Sequence, residues 1–195
     1  DRNKYKQHKI MNLDFIINRY GLYYCDVERF KRRIIIPLRS SSGECVYFTN
    51  RAIDSWAKKN LFVKGSHAMN YIYGLYESIG KKKVILTEGP FDLWQLKSFA
   101  LKNQIKDFGF IASLGTEVQE ERAAMIAEFF EEVWICFDSD EAGIESEKKA
   151  VKVLGGKAKV GIPLIDETGE EVSRIKSLQL DKSGVQEATE GQELA

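Results

Sequence analysis

The sequence predicts an α/β protein: a basic amino-terminal part of mixed strands and helices, followed by a mostly parallel sheet with helices on its faces. Three observations predict it. From Gly80 onward, short apolar runs alternate with stretches of helical period, the pattern of βα units whose strands lie side by side. Upstream, two β-rich runs are separated by a Ser/Gly turn. The charge also changes sign along the chain: residues 1–83 hold 17 Lys and Arg against 7 Asp and Glu, a balance of +10, while residues 84–195 hold 12 against 22, a balance of −10. The protein is neutral as a whole but bipolar, which points to a polyanionic partner for one half and cations for the other.

The elements follow in order. "KRRIIIPLRSSSGECVYFTNRAI" predicts a hairpin, with Ile34 to Ile36 in the first strand, a turn ending at Gly43, and "ECVYFTNR" as the second strand. Arg32, Arg33, Arg39 and Arg51 flank these strands rather than interrupt them. The next stretch interleaves Trp56, Phe62, Tyr71, Tyr73 and Tyr76 with Lys58, Lys59 and Lys64. Exposed, such a mixture neutralises phosphates and stacks bases; buried, it is core, and the tyrosines read mostly as structural. "KVILTEG" then predicts a buried strand leading into "PFDLWQLKSFALKN", where Pro90 suits a first helical turn. "FGFIASLG" is the second strand, and "TEVQEERAAMIAEFFEE" a helix opening at its threonine. "VWICFD" is the third strand, "SDEAGIESEKKAVKVLGG" a helix stopped by glycine, and "KAKVGIPLI" the fourth strand. Domain boundaries are expected at 1–80, 81–165 and 166–195, the last a hairpin or partly mobile tail.

Composition narrows the class. Apolar residues make up 44% and charged residues 30%, as in a soluble globular protein. No apolar run has the length of a membrane span, and the first residues lack the apolar segment of a signal peptide, so a cytoplasmic protein with no membrane partner is expected. Cys25, Cys45 and Cys136 are scattered and odd in number, supporting neither a zinc site nor a disulfide framework; they read as small buried hydrophobes. With only His8 and His67, no histidine cluster exists.

The chemistry is concentrated in "VWICFDSDEAG". In extended chain, residues two apart point the same way, so Asp138 and Asp140 would face together, and like charges held side by side call for a cation. Asp140, ahead of a helix-forming run, also suits an N-cap, which leaves Asp138 without a role. Asp-x-Asp occurs in several phosphate-handling enzyme classes, so the stretch alone leaves both readings open. Sites in open α/β sheets form beyond the carboxyl ends of strands. "TEGPFD" ends the first parallel strand as "FDSD" ends the third. If those strands are neighbours, Glu88 and Asp92 meet Asp138 and Asp140 with no basic residue among them, an oxygen-rich site suited to Mg²⁺ or Mn²⁺.

Together "EGPFD", "SLGT" and "FDSDEAG" resemble the TOPRIM fold shared by topoisomerases, primases, some nucleases and recombination mediators. The acid in "EGPFD" is similar to that of bacterial and phage DnaG-type primases. Upstream, "ERFKRRIIIPLRSSSGECVYFTNRAI", "LFVKG" and "YGLYES" resemble, in the same order, the basic amino-terminal subdomain of the DnaG-type RNA polymerase core. The resemblance covers about residues 20–155. It implies a Rossmann-like TOPRIM domain and a primase, a DNA-directed RNA polymerase making RNA primers on single-stranded DNA from ribonucleoside triphosphates, with a replicative helicase as partner. By the same resemblance Glu88 is a base or metal ligand, Asp92 its companion, and Asp138 and Asp140 a metal-binding pair for Mg²⁺ or Mn²⁺. Arg33, Arg51 and Lys64 match a ridge that holds template and nucleotides, and Lys58 and Lys59 lie at another basic contact; Gly89, Gly115 and Gly143 match turns. The chain departs from the pattern in three places: "YFTNR" replaces a glycine-rich "GFSGR", "SHAMNYI" is extra, and the downstream acidic "KDPDE" motif has only Asp166 and Glu167 in its place. No zinc-binding or helicase domain is recognisable, as in a catalytic-core fragment or a compact phage or plasmid relative in a bacterial cell. The rival readings are a catalytically silent nucleic-acid-binding module and a TOPRIM nuclease.

Overall fold

The computed structural model describes residues 12–61, 71–115 and 117–163, together with the strands Lys176–Leu180 and Gln186–Glu187. Lys64, Thr116, Asp166 and Glu167 lie outside the described residues.

Helix α1 (Leu13–Tyr20) is the first element among the described residues, and the sequence pattern did not disclose it. The Asn12 side chain caps it by accepting from the Phe15 amide, and Gly21 ends it in the left-handed conformation at φ 65°. Its buried face carries Ile16 and Tyr20. A three-stranded antiparallel sheet follows: β1 (Tyr23–Cys25), β2 (Arg33–Arg39) and β3 (Cys45–Ala52), with β2 in the centre. The β2–β3 hairpin is the expected one. Gly43, at φ 89°, turns it, and its amide donates to the Ser40 carbonyl at 3.0 Å. Residues beyond it return along the second sheet, where Tyr73 and Ala112 exchange two backbone hydrogen bonds, before the single turn of α2 (Leu75–Ser78).

The second sheet contains β4 (Lys83–Thr87), β5 (Phe108–Ala112), β6 (Glu132–Cys136), β7 (Lys159–Ile162), β8 (Lys176–Leu180) and β9 (Gln186–Glu187), in the order β5-β4-β6-β7-β8-β9. The first four are parallel; β8 and β9 run antiparallel at the edge. Three helices alternate with the parallel strands: α3 (Pro90–Lys102), α4 (Glu120–Phe129) and α5 (Glu141–Leu154). Helix α4 begins at Glu120, four residues after the expected threonine, and Val118 packs into the core ahead of it. Gly155 ends α5 in a right-handed conformation, so the glycine stop works without the left-handed turn. The cysteines differ from expectation as well: Cys45 is exposed, and Cys25 and Cys136 are half-buried.

Each face of the parallel sheet has its own core. One unites Val84, Leu86, Val133 and Ile135 of the strands with Ile126 of α4 and Leu154 of α5. The other is built by both halves of the chain: Ile16 and Tyr20 of α1 and Ile36 and Leu38 of β2 pack with Tyr73, Leu93, Trp94 and Phe110. Tyr20 stacks on Tyr73 with centroids 5.5 Å apart, and the Trp94 indole N–H donates to the Tyr73 hydroxyl at 2.9 Å. Trp56, by contrast, is 85% exposed. Among the described residues no helix is long and apolar enough to cross a membrane.

Tyr73→Phe strands the buried Trp94 donor and is expected to cost about 1–3 kcal/mol, whereas Tyr76→Phe, at a half-exposed ring, changes stability little. Urea unfolding of the two variants measures the difference.

Candidate active site

Strand β4 lies between β5 and β6, and its register with β6 sets Thr87 opposite Cys136. The residues that follow these ends are therefore brought together: the Glu88 carboxylate accepts a hydrogen bond from the Asp138 amide at 3.2 Å through Oε1. The Glu88 carbonyl accepts from the Gly115 amide at 3.0 Å, and Gly115 reaches that position at φ 71°. The two readings of Asp138 and Asp140 separate here. Asp140 is the N-cap of α5, its Oδ1 accepting from the Gly143 amide at 2.8 Å, while Asp138 borders an open cleft. Asp92 stands in the first turn of α3, beside Gly89. A Cβ on Gly143 would collide with the Asp138 carbonyl and stand 3.0 Å from Glu88 Oε1, so α5 starts as close to the site as a backbone can.

The cleft, about 340 Å³, lies between the two sheets. Its acidic wall is Glu88, Asp92 and Asp138; Thr49 and Arg51 of β3, with Lys59 from the loop after it, form the other wall. The carboxylates were expected to have no basic residue among them. In the structure two cations share their cleft, because the β2–β3 sheet packs against α3 through the second core. The Arg51 guanidinium lies over the Phe91 ring, 5.2 Å from its centroid, and burial lowers its pKa. Lys58 is exposed and gives its carbonyl to Arg33. Arg33 is only 5% exposed, enclosed by the carbonyls of Lys58 and Lys59 and the Asn50 side chain.

Burial pushes the Glu88 carboxyl above its ordinary pKa, and the charges of Asp138, Asp140 and Asp92 push it further against the pull of the Asp138 amide. Burial is also the largest cause raising Asp92, with Asp138 adding to it; backbone amides at Asp92 and Gly89 and the Lys59 charge oppose the rise. Among the described residues, no three Asp, Glu, His or Cys side chains converge into a ready-made metal cage. The donor set nonetheless has the chemistry of a Mg²⁺ or Mn²⁺ site. Such ions are commonly held by one or two carboxylates and completed by substrate phosphates and water.

Sequence reasoning missed two supports of this cleft. Asn50, 1% exposed, clamps Leu61 by donating to its carbonyl at 2.7 Å and accepting from its amide at 3.1 Å. Arg122, 4% exposed on α4, donates to the Ser113 carbonyl at 3.1 Å and the Tyr71 carbonyl at 2.6 Å, fixing the segment ahead of Gly115. Neither position is marked by a motif.

Residues 85–173 match the Toprim-like family model. The DNA primase of Aquifex aeolicus (strain VF5) is 32% identical over 137 residues, which is 64% of this chain and 26% of that protein. Over this stretch the chain is similar to a DNA primase. It spans about a quarter of the length of that curated relative. The solved DnaG catalytic core superposes with a TM-score of 0.67 at 18% identity, over 87% of this chain and 66% of the other. A DnaG primase catalytic domain bound to single-stranded DNA superposes with a TM-score of 0.58 at 22% identity, over 82% and 52%. These two likenesses show the fold alone, and in this chain the parallel sheet carries Glu88 and Asp138 at its carboxyl edge.

A carboxyl whose pKa is raised on folding binds its proton more readily in the folded state, so stability falls as pH rises through the interval between its ordinary and raised values. Lowering the pH from neutrality toward the ordinary carboxylate range of about 4 is therefore expected to relieve the repulsion at Glu88 and Asp92. Glu88→Gln removes part of it at pH 7 and is expected to raise Tm by roughly 2 °C, the size of a solvent-screened contact worth about 0.5 kcal/mol. Thermal melts of both proteins in chelator across this pH range check the sign.

Proposed function

We propose that this chain is the catalytic core of a DNA primase, a DNA-directed RNA polymerase that makes short RNA primers on single-stranded DNA by metal-dependent nucleotidyl transfer. The observation that carries the reading is the cleft with carboxylates Glu88, Asp92 and Asp138 on one wall and Arg51 and Lys59 on the other. A nucleoside triphosphate and a nucleic-acid strand are both polyanions. Each needs cations from the protein on one side and a metal on the other.

Residues 1–80 serve in this reading as the basic subdomain and residues 81–165 as the TOPRIM domain. Arg51, partly desolvated over Phe91, faces the cleft where it would meet phosphate, and Lys59 adds a second positive charge across from Asp92. Glu88, Asp138 and Asp140 would hold Mg²⁺ or Mn²⁺. The chemistry a bound ion supplies is neutralisation of the triphosphate during attack of a 3′-hydroxyl on the α-phosphorus, with pyrophosphate leaving. The raised pKa of Glu88 brings its carboxylate closer to the range in which it accepts a proton from that hydroxyl. Its Oε1 is held by the Asp138 amide, which orients the group. Asp140 holds the first turn of α5 against Asp138, and Asp92 extends the acidic wall. Most of the catalysis is positioning and electrostatic stabilisation. Single-stranded DNA, named as bound in one structural neighbour, is the template expected here, with ribonucleoside triphosphates as substrates. In a bacterial or phage-infected cell the core would work in the cytoplasm beside a replicative helicase, as the resemblance implies.

Incorporation of labelled ribonucleotides on single-stranded DNA with Mg²⁺ or Mn²⁺ tests the reading. Glu88→Gln and Asp138→Ala are each expected to lower incorporation by about a hundredfold or more, with template binding retained. Incorporation unchanged in both variants would sink the assignment. Binding to the same template should weaken with salt, and Lys59→Ala should flatten the slope of log affinity against log salt by about 0.7. Fluorescence anisotropy at several salt concentrations measures it.

A further inference from the structure

We propose that Arg33 is a positioning residue of this cleft, setting the place of Lys59 through the backbone of residues 58–61 and touching neither nucleic acid nor nucleotide. The proposal rests on the reading of the cleft given above.

The register of β2 and β3 pairs Arg33 with Ala52 and Ile34 with Arg51. Side chains alternate along a strand, so Arg33 leaves its sheet on the face opposite Arg51. Its planar guanidinium donates through Nη2 to the Lys58 carbonyl at 2.8 Å and through Nη1 to Asn50 Oδ1 at 3.1 Å and the Lys59 carbonyl at 3.4 Å. The Lys59 carbonyl also accepts from the Ala52 amide at 3.0 Å, which lays residues 58–61 along the free edge of β3. Asn50 secures the far end at Leu61. Lys59 and Asn60 then border the cleft. The arginine is buried under the strap it holds, and a phosphate has no path to it that leaves these bonds intact. A fork reaching two successive carbonyls and an amide oxygen is beyond a lysine ammonium, although lysine keeps the charge.

That difference supplies the test. Arg33→Lys and Arg33→Gln should lower kcat/KM for primer synthesis alike, by about tenfold, and should speed amide hydrogen exchange at Ala52 and Leu61. Asn50→Ala, which loosens the strap with Arg33 in place, should lower activity similarly. In a Lys59→Ala background neither Arg33 variant should lower activity further or alter the salt slope of template binding. Wild-type activity in Arg33→Lys with loss in Arg33→Gln would show a direct contact read through charge and overturn the proposal. So would full activity in Asn50→Ala, or losses that multiply with Lys59→Ala. If the unmodified protein makes no primers, the polymerase reading fails separately. Exchange at Ala52 and Leu61 in Arg33→Lys then decides this proposal, faster exchange supporting it and unchanged exchange overturning it.

Discussion

The site depends on the parallel register of β4 with β6. Because Thr87 lies beside Cys136, the chain emerges from both strands at the same level, and Glu88 can take the Asp138 amide as its partner. A slip of one residue would move Val84 and Leu86 from their own core to the opposite face and carry Glu88 with them. That slip is opposed twice, since β4 is also paired with β5 along its whole length. The register is thus held by apolar burial and backbone pairing well below the site, and the carboxylates inherit its rigidity. Gly143 shows how close the tolerance is. The first turn of α5 lies against the Asp138 carbonyl with no room for a methyl group, so residue 143 must be glycine for Asp140 to cap the helix while Asp138 stays at the cleft.

A second constraint keeps the opposed charges apart. Arg51 and Lys59 face Glu88, Asp92 and Asp138, yet the ion pairs among the described residues form elsewhere, as at Arg39 with Glu77 and Arg32 with Asp54. Arg51 rests on Phe91, and the backbone carrying Lys59 is tied back to β3. Meanwhile the shared core of Ile36, Leu38, Tyr73 and Trp94 fixes the spacing of the sheets. Closing the cleft on itself would mean breaking one of these arrangements for surface-type ion pairs worth about 0–1 kcal/mol each. The basic and acidic walls are therefore kept apart across an open cleft.

What the sequence made legible follows from which forces are periodic. The four parallel strands and three helices declare themselves because apolar burial repeats at 2.0 or 3.6 residues, and the carboxylates because sites gather at strand ends. Helix α1 was not legible: only Ile16 and Tyr20 are buried along it, and its place is set by contact with Tyr73 and Trp94 far down the chain. The start of α4 was misplaced because Val118, apolar and near the expected threonine, belongs to the core without belonging to the helix. The cap at Asp140 was one of two open readings, and the geometry adds that Asp140 caps α5 while Asp138 borders the cleft.

Charge was legible in total but not in place. Counting Lys and Arg assigns Arg33 and Arg122 to the surface field, whereas both are buried and donate to backbone carbonyls of neighbouring segments. An arginine is suited to that work because its five donors lie in a rigid plane and its charge persists under desolvation. The two residues brace opposite margins of the cleft: Arg33 holds the strap bearing Lys59, and Arg122 holds Ser113, next to Leu114 and Gly115. Part of the basic half's charge is consequently structural, and the part that faces the cleft is smaller and better aimed than its sum. The bipolar sequence becomes a two-walled cleft because some of its cations are used internally to orient the rest.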